Sequence, residues 1–219
     1  GRFAAAHRGP RHGVHDAPGG VAGARGRMKP ARCRFDIPLS RGGAIRILPL
    51  GRWAKPYLVE GLARTSPETQ TRRFGAPRAG FTPAELDHLT RVDGRTVLAL
   101  GARDLVTGRG AGVARWMRDG ATSAEAAILI VDEFARRGVG RWLMGGLVVS
   151  AKRAGLARLH GETHADNHAM LGLAAWFGAR TRFAGGGRTL LELDVPPVWP
   201  AGEAGEFLSR IERHVDGRA

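Results

Sequence analysis

Hydrophobic and polar positions first fall into register at Ala44, where Ala-Ile-Arg-Ile-Leu-Pro alternates as a half-buried strand does. Residues 55–64 then place Tyr57, Leu58 and Leu62 near helical spacing. Ser66-Pro67-Glu68-Thr69 supplies an N-cap and a proline at the first helical position, which predicts a short helix ending around Phe74. Thr82-Pro83-Ala84-Glu85 repeats that signal as a capping box, with Leu86 and Leu89 as the apolar side. Residues 96–103, 110–118 and 125–132 are strand-like runs split by turns containing Gly and Asp, which reads as an antiparallel meander. Val139, Trp142, Leu143, Leu147 and Val148 then recur at helical intervals up to a C-cap at Gly155. A strand over 158–164, a helix over 167–177 and strands near 181–183 and 189–195 follow. The predicted order is βααα-βββ-α-β-α-ββ, closed by an amphipathic helix over 203–215 that carries Phe207, Leu208 and Ile211.

Length and composition narrow the class. With 219 residues, 43% of them hydrophobic, the chain can bury one sizeable core, and one domain with appendages is expected: a tail over 1–43, a domain over 44–196 and an extension over 197–219. Met28 precedes the first patterned stretch, so residues 1–27 are read as translated upstream sequence. The longest apolar run, 126–131, is too short to cross a bilayer, and a cytoplasmic location is expected, with no membrane partner. The net charge of +14 invites a nucleic-acid reading, but nine arginines and lysines against two acidic residues lie in 1–41. That segment is rich in Gly, Pro and Ala and has little to bury, so it reads as a disordered basic tail and nucleic acid is not the expected partner. Cys33, the single cysteine, is expected to be chemically silent.

The chemistry concentrates in 125–143, where an apolar strand runs into an Arg- and Gly-rich turn and then a helix. Gly138 and Gly140 let backbone approach a ligand, and the first amides of the helix are unpaired donors at a positive dipole end. With Arg136, Arg137 and Arg141 they form a site for pyrophosphate, so the residues alone predict a phosphorylated cofactor. The glycine order does not fit a dinucleotide fold, and no Gly-Lys-Ser/Thr follows for a nucleoside-triphosphate loop.

The hexad Ala135-Arg136-Arg137-Gly138-Val139-Gly140 resembles the coenzyme A loop of the GNAT superfamily, Gln/Arg-x-x-Gly-x-Gly/Ala, with Ala135 departing from its first position. Further matches follow in order: Ile45-Arg46-Ile47-Leu48-Pro49, Ser66-Pro67-Glu68-Thr69-Gln70-Thr71-Arg72-Arg73-Phe74, Leu86-x-x-Leu89-Thr90-x-Val92-Asp93, Gly112-Val113-Ala114-Arg115 and Ala165-Asp166-Asn167-His168-Ala169-Met170-Leu171. The likeness spans about 44–195 and is to the acetyltransferase domain of bacterial Pat-type protein lysine acetyltransferases. It implies a mixed α/β fold with a splayed, mostly antiparallel seven-stranded sheet flanked by helices. It implies acetyl-CoA as co-substrate, no metal, and direct attack of a primary amine in a ternary complex, the acceptor being a protein lysine or a small molecule.

Site roles follow from the same resemblance. Glu125 sits where these domains place a general base that removes the ammonium proton. Backbone at 129–131, including Ile130 and Val131, is implied to pair with pantetheine and to polarise the thioester. Arg136, Arg137, Gly138, Val139, Gly140 and Arg141 are assigned to the pyrophosphate. Asn167 is assigned either to the pantetheine arm or to a plain helix cap. The tyrosine that protonates the thiolate in many members would fall at Ala174, and Tyr57 is the one tyrosine in the chain, so no general acid is assigned. A non-catalytic acyl-CoA sensor with a nucleic-acid-binding tail is the alternative from another class.

Other candidates carry less. His160, His164 and His168 are spaced for one helix face but fall on a strand, its end and the next helix, so no metal site is expected. Arg72, Arg73 and Arg115 are candidates for an electropositive rim facing coenzyme phosphates or an acidic substrate, or for solvated arginines. Trp116, Trp142 and Trp176 are expected core anchors.

Overall fold

In the computed structural model, which describes residues 34–217, the alternating segments pair into one eight-stranded sheet of order β1-β2-β3-β4-β5-β6-β8-β7. The strands are β1 (Phe35–Pro38), β2 (Ala44–Pro49), β3 (Val97–Asp104), β4 (Gly110–Arg118), β5 (Ser123–Ile130), β6 (Arg158–His164), β7 (Arg180–Gly185) and β8 (Arg188–Asp194). All neighbours are antiparallel except β5 and β6. The helices are α1 (Lys55–Ala63), α2 (Pro67–Phe74), α3 (Pro83–Thr90), α4 (Val139–Arg153), α5 (His168–Trp176) and α6 (Glu203–Asp216). α1, α2 and α3 fill the connection between β2 and β3, and α4 crosses over between the parallel pair β5 and β6.

The sheet thus has eight strands where seven are expected. The additional one, β1, lies inside the segment read from sequence as tail. Its four residues alternate buried and exposed, with Phe35 and Ile37 inward, and it pairs antiparallel with β2 at the sheet edge. Four residues that end in proline are too short a run to register as periodicity, and only pairing with β2 makes them a strand. The rest of that tail up to 33, including Cys33 and the proposed start at Met28, lies outside the described residues.

Two layers pack on the sheet. α4 covers one face, where Leu143, Leu147, Val139 and the strand residues Ile45, Ile47 and Ala114 are fully buried. Trp116 is buried there too, its indole N–H donating to Ser150 Oγ at 2.9 Å, and Trp142 packs on Phe207, so both act as core anchors. α6 lies outside α4 and buries Phe207, Leu208, Ile211 and Val215 against it, so the C-terminal helix is part of the core. On the opposite face α1–α3 stand over a smaller cluster of Leu50, Ala54 and Ala99. Ser66 and Thr82 cap α2 and α3 through N–H donation from Thr69 and Glu85, and Thr82 with Glu85 completes a capping box.

Candidate active site

Parallel pairing of β5 with β6 stops almost at once. Ser123, Ala124 and Glu125 are in register with Arg158, Leu159 and His160, and beyond Glu125 the two strands part. At the parting point β6 carries Gly161, where any Cβ would sit 2.7 Å from the Ala126 carbonyl oxygen, so only glycine lets the strands come so near just before they diverge. On its other edge β5 stays fully paired with β4 up to Gly112 opposite Ile130. A V-shaped gap therefore opens in the middle of the sheet, lined on one side by unpaired β5 backbone.

Bond alternation decides which backbone groups face that gap. The Val131 N–H donates to Ala111 O at 3.0 Å, on the β4 side, so the neighbouring Ile130 and Ile128 turn their amide groups toward the gap. Ile130 backbone therefore faces the gap, whereas that of Val131 does not. Its amide is engaged with β4, and its side chain is buried on the α1–α3 face.

The gap leads to the N-terminus of α4. There Arg136 takes a left-handed conformation at φ 56, the exception among the described non-glycine residues, and Gly138, the N-cap, sits at φ 90. No side chain caps the helix. The N–H groups of residues 136–140 donate to no protein acceptor among the described residues, which leaves five successive donors beside the positive end of the helix dipole. Gly140 sits between β5 and α5, with Ile130 Cγ1 and Leu173 Cδ2 at 3.8 and 3.5 Å from the place of a Cβ. Backbone donors at the positive end of a helix dipole suit an anion, with or without the arginines.

Those arginines do different things. Arg136 is exposed at the turn. Arg137 points away, its Nη2 donating to Gly42 O at 2.8 Å and its guanidinium lying over Phe134 at 5.2 Å. It ties the turn to the β1–β2 connection. Arg141 lies 4.2 Å over the Trp176 ring and 3.6 Å from Glu203, which joins α4 to α5 and α6.

Glu125 is exposed at the point where β5 and β6 separate. Its side chain shares a sheet face with Ala127 and Leu129, which line an apolar cleft between the sheet and α1–α3. Leu58, Leu62, Phe74, Val113 and Val131 are among the residues of the cleft wall, and Arg73 and Arg115 bring cations to it. Burial lowers the pKa of both guanidiniums. For Arg73 the Arg115 charge adds to that effect, and for both the Glu125 charge opposes it. Glu125 thus stands where β5 and β6 part, on the sheet face that carries the cleft.

No protein-family model matches the chain. A curated relative, acetyltransferase Pat of Mycolicibacterium smegmatis, is 35% identical over 159 residues, which cover 68% of this chain and 47% of that protein. The chain therefore spans about half of that relative's length. Among solved structures, the GNAT domain of Streptomyces PAT (S. lividans) superposes with a TM-score of 0.70 at 26% identity, over 76% of this chain and 99% of that domain. This is a GNAT domain. A putative acetyltransferase from Salmonella typhimurium, solved with its cofactor acetyl-CoA, shares the fold at a TM-score of 0.55 and 15% identity, over 69% of this chain and 94% of that one.

Within the GNAT domain the remaining candidates separate cleanly. Asn167 Oδ1 accepts from the Met170 N–H at 3.2 Å, and its Nδ2 donates to Thr163 Oγ1 at 2.9 Å, so the side chain caps α5 and ties it to β6. Ala174 is buried in α5, and Tyr57 stands on α1 in the cleft wall, with Arg103 over its ring at 5.5 Å. The three histidines lie on β6, at its end and on α5, with His160 Nε2 and Asp119 Oδ2 2.5 Å apart, and among the described residues no group of three or more potential ligands is arranged to hold a metal. No helix among them is long and apolar enough to cross a membrane.

Asp132 escaped the sequence reading. Directly after β5 its carboxylate accepts from the Ser66 N–H and the Thr69 hydroxyl, both at 2.6 Å, while Glu133 beside it pairs with Arg64. Together they hold the α1–α2 junction over the end of β5, and so set the height of the cleft roof. An acidic pair after a strand has no local signature of that task, since its partners are more than sixty residues away in sequence.

Proposed function

We propose that this GNAT domain is an acetyl-CoA-dependent N-acetyltransferase acting on a primary amine. The opening of the sheet directly beyond Glu125 carries the reading, because it joins a backbone anion site, an unpaired strand edge and a carboxylate along one path. In this reading the amides of residues 136–140 hold the pyrophosphate and Ile130 backbone pairs with the pantetheine arm, so that the thioester lies where β5 and β6 part. Glu125, directly or through water, takes a proton from the acceptor ammonium. The neutral nitrogen attacks the thioester carbonyl carbon, the adduct releases its second N–H proton to solvent as the C–S bond breaks, and coenzyme A leaves as a thiolate that solvent protonates. A cytoplasmic site of action, where acetyl-CoA is made and used, belongs to the same reading.

Kinship with Pat supports a protein lysine as acceptor, while the enclosed apolar cleft on the Glu125 face supports a small amine. Release of free thiol from acetyl-CoA by the wild type and Glu125→Gln, against lysine-containing proteins and small amines, tests the proposal. Acceptor-dependent release is expected, reduced about 100-fold or more in Glu125→Gln with acetyl-CoA affinity unchanged. No release despite measurable acetyl-CoA binding would turn the assignment to a sensor of acyl-CoA.

A further inference from the structure

The apolar cleft contains more positive charge than its surroundings satisfy. Arg103, at its rim, donates through Nε to Gly108 O at 2.8 Å. Arg73 and Arg115 have no hydrogen bond and no ion pair among the described residues, and the Nη2 of Arg115 is buried without any partner. Removing a guanidinium N–H from water without an acceptor is costly, and two guanidiniums that raise each other's energy across an apolar space double the problem. Among the described residues Glu125 is the carboxylate whose charge acts on both. The buried Arg115 Nη2 still lacks an acceptor, which an anionic group can supply.

Strand register sets where that anion would lie. Arg115 stands opposite Ala127 and Glu125 opposite Met117, so Arg115 and Glu125 are diagonal neighbours on one face, with Cβ atoms roughly 7 Å apart. Their flexible side chains can close on two charged groups a few bonds apart, one cationic at Glu125 and one anionic at Arg115. Guanidinium forks suit a planar carboxylate, which accepts two parallel N–H bonds. Phe74, Leu58 and Val113 leave an apolar wall for the remainder of such a molecule.

We propose that the acceptor is an apolar α-amino acid or a close analogue, bound with its ammonium at Glu125, its carboxylate across Arg115 and Arg73, and its side chain in the cleft under α1–α3. This rests on the acetyltransferase reading and sharpens it. A protein lysine presents no carboxylate near its amine and would leave both guanidiniums unanswered.

The test compares matched pairs with the full chain: leucine against isoamylamine and phenylalanine against phenethylamine, with lysine peptides in parallel. Thiol release gives kcat/KM, and calorimetry gives binding without turnover. The amino acid of each pair is expected to be favoured about 10- to 100-fold, the worth of one or two charge-assisted hydrogen bonds. Arg115→Met is expected to abolish that preference through KM, and Arg115→Lys to restore part of it. Arg73→Gln should weaken the preference by itself, which keeps the test alive if Arg115→Met fails to fold. Melting temperature and acetyl-CoA affinity identify such a failure.

Equal use of both members of each pair, or preference for lysine peptides, overturns the carboxylate site and leaves the acetyltransferase assignment standing. Preference for succinyl-CoA with carboxylate-free amines also overturns it, since the anion would then come from the acyl group. Carboxylate-dependent calorimetric binding lost in Arg115→Met, with no thiol release from any amine, supports the site and refutes the acetyltransferase reading.

Discussion

At the residue scale, the charges around α2 and α3 carry the clearest consequences. Glu85 is lowered from 4.5 to about 2, first by hydrogen bonding to the Arg78 side chain and then by the Thr82 N–H. A depressed carboxylate contributes its stability above its unfolded pKa and loses it as pH falls through the folded one, so the start of α3 should loosen between about pH 4.5 and 2. Acid titration of the wild type against Glu85→Gln, followed by amide exchange at α3, should show this transition in the wild type and none in the variant. Asp132→Ala removes both acceptors from the Ser66 amide and the Thr69 hydroxyl, and should cost about 1 kcal/mol in denaturant unfolding while raising KM for the acceptor more than for acetyl-CoA. The capping chemistry of Ser66, Thr82 and Glu85 was readable in sequence because its partners lie within one turn. Asp132 was not, and for Asn167 the sequence left two roles open, of which the helix cap is seen in the Met170 hydrogen bond.

Between elements, the turn before α4 and the junction of β5 with β6 matter most. Gly138 at φ 90 lies where a Cβ is disfavoured by about 1–2 kcal/mol, so Gly138→Ala should misdirect the free amides of 136–140. Acetyl-CoA affinity by calorimetry is expected to fall about tenfold or more, with a small drop in melting temperature. Gly161→Val places a Cβ 2.7 Å from a backbone oxygen that cannot step aside, and about 1–3 kcal/mol of destabilisation should appear as a lowered melting temperature. The glycine turn was legible because it is local: eight residues, 131–138, between a strand and a helix. Which arginines serve it was not, since Arg137 and Arg141 are taken by Gly42 O and by Trp176 and Glu203, contacts made across the fold.

For the whole molecule, α6 is a structural layer that covers α4, and Ile211 at its centre is fully buried. Ile211→Ala should cost about 2–5 kcal/mol in equilibrium unfolding, a loss an appended helix would not produce. The sequence by itself determined the element order from Ala44 onward, the capped helices and the glycine turn before α4, because periodicity, caps and turn chemistry act over a few neighbouring residues. Only tertiary structure decided that Phe35–Pro38 is a strand, that β5 and β6 part directly after Glu125, that Val131 turns its amide to β4, and that Arg73 and Arg115 meet in one cleft with the Nη2 of Arg115 buried without an acceptor. Each of these is set by pairing register or by contact between segments far apart in the chain, and no local pattern encodes which distant backbone a strand will find beside it.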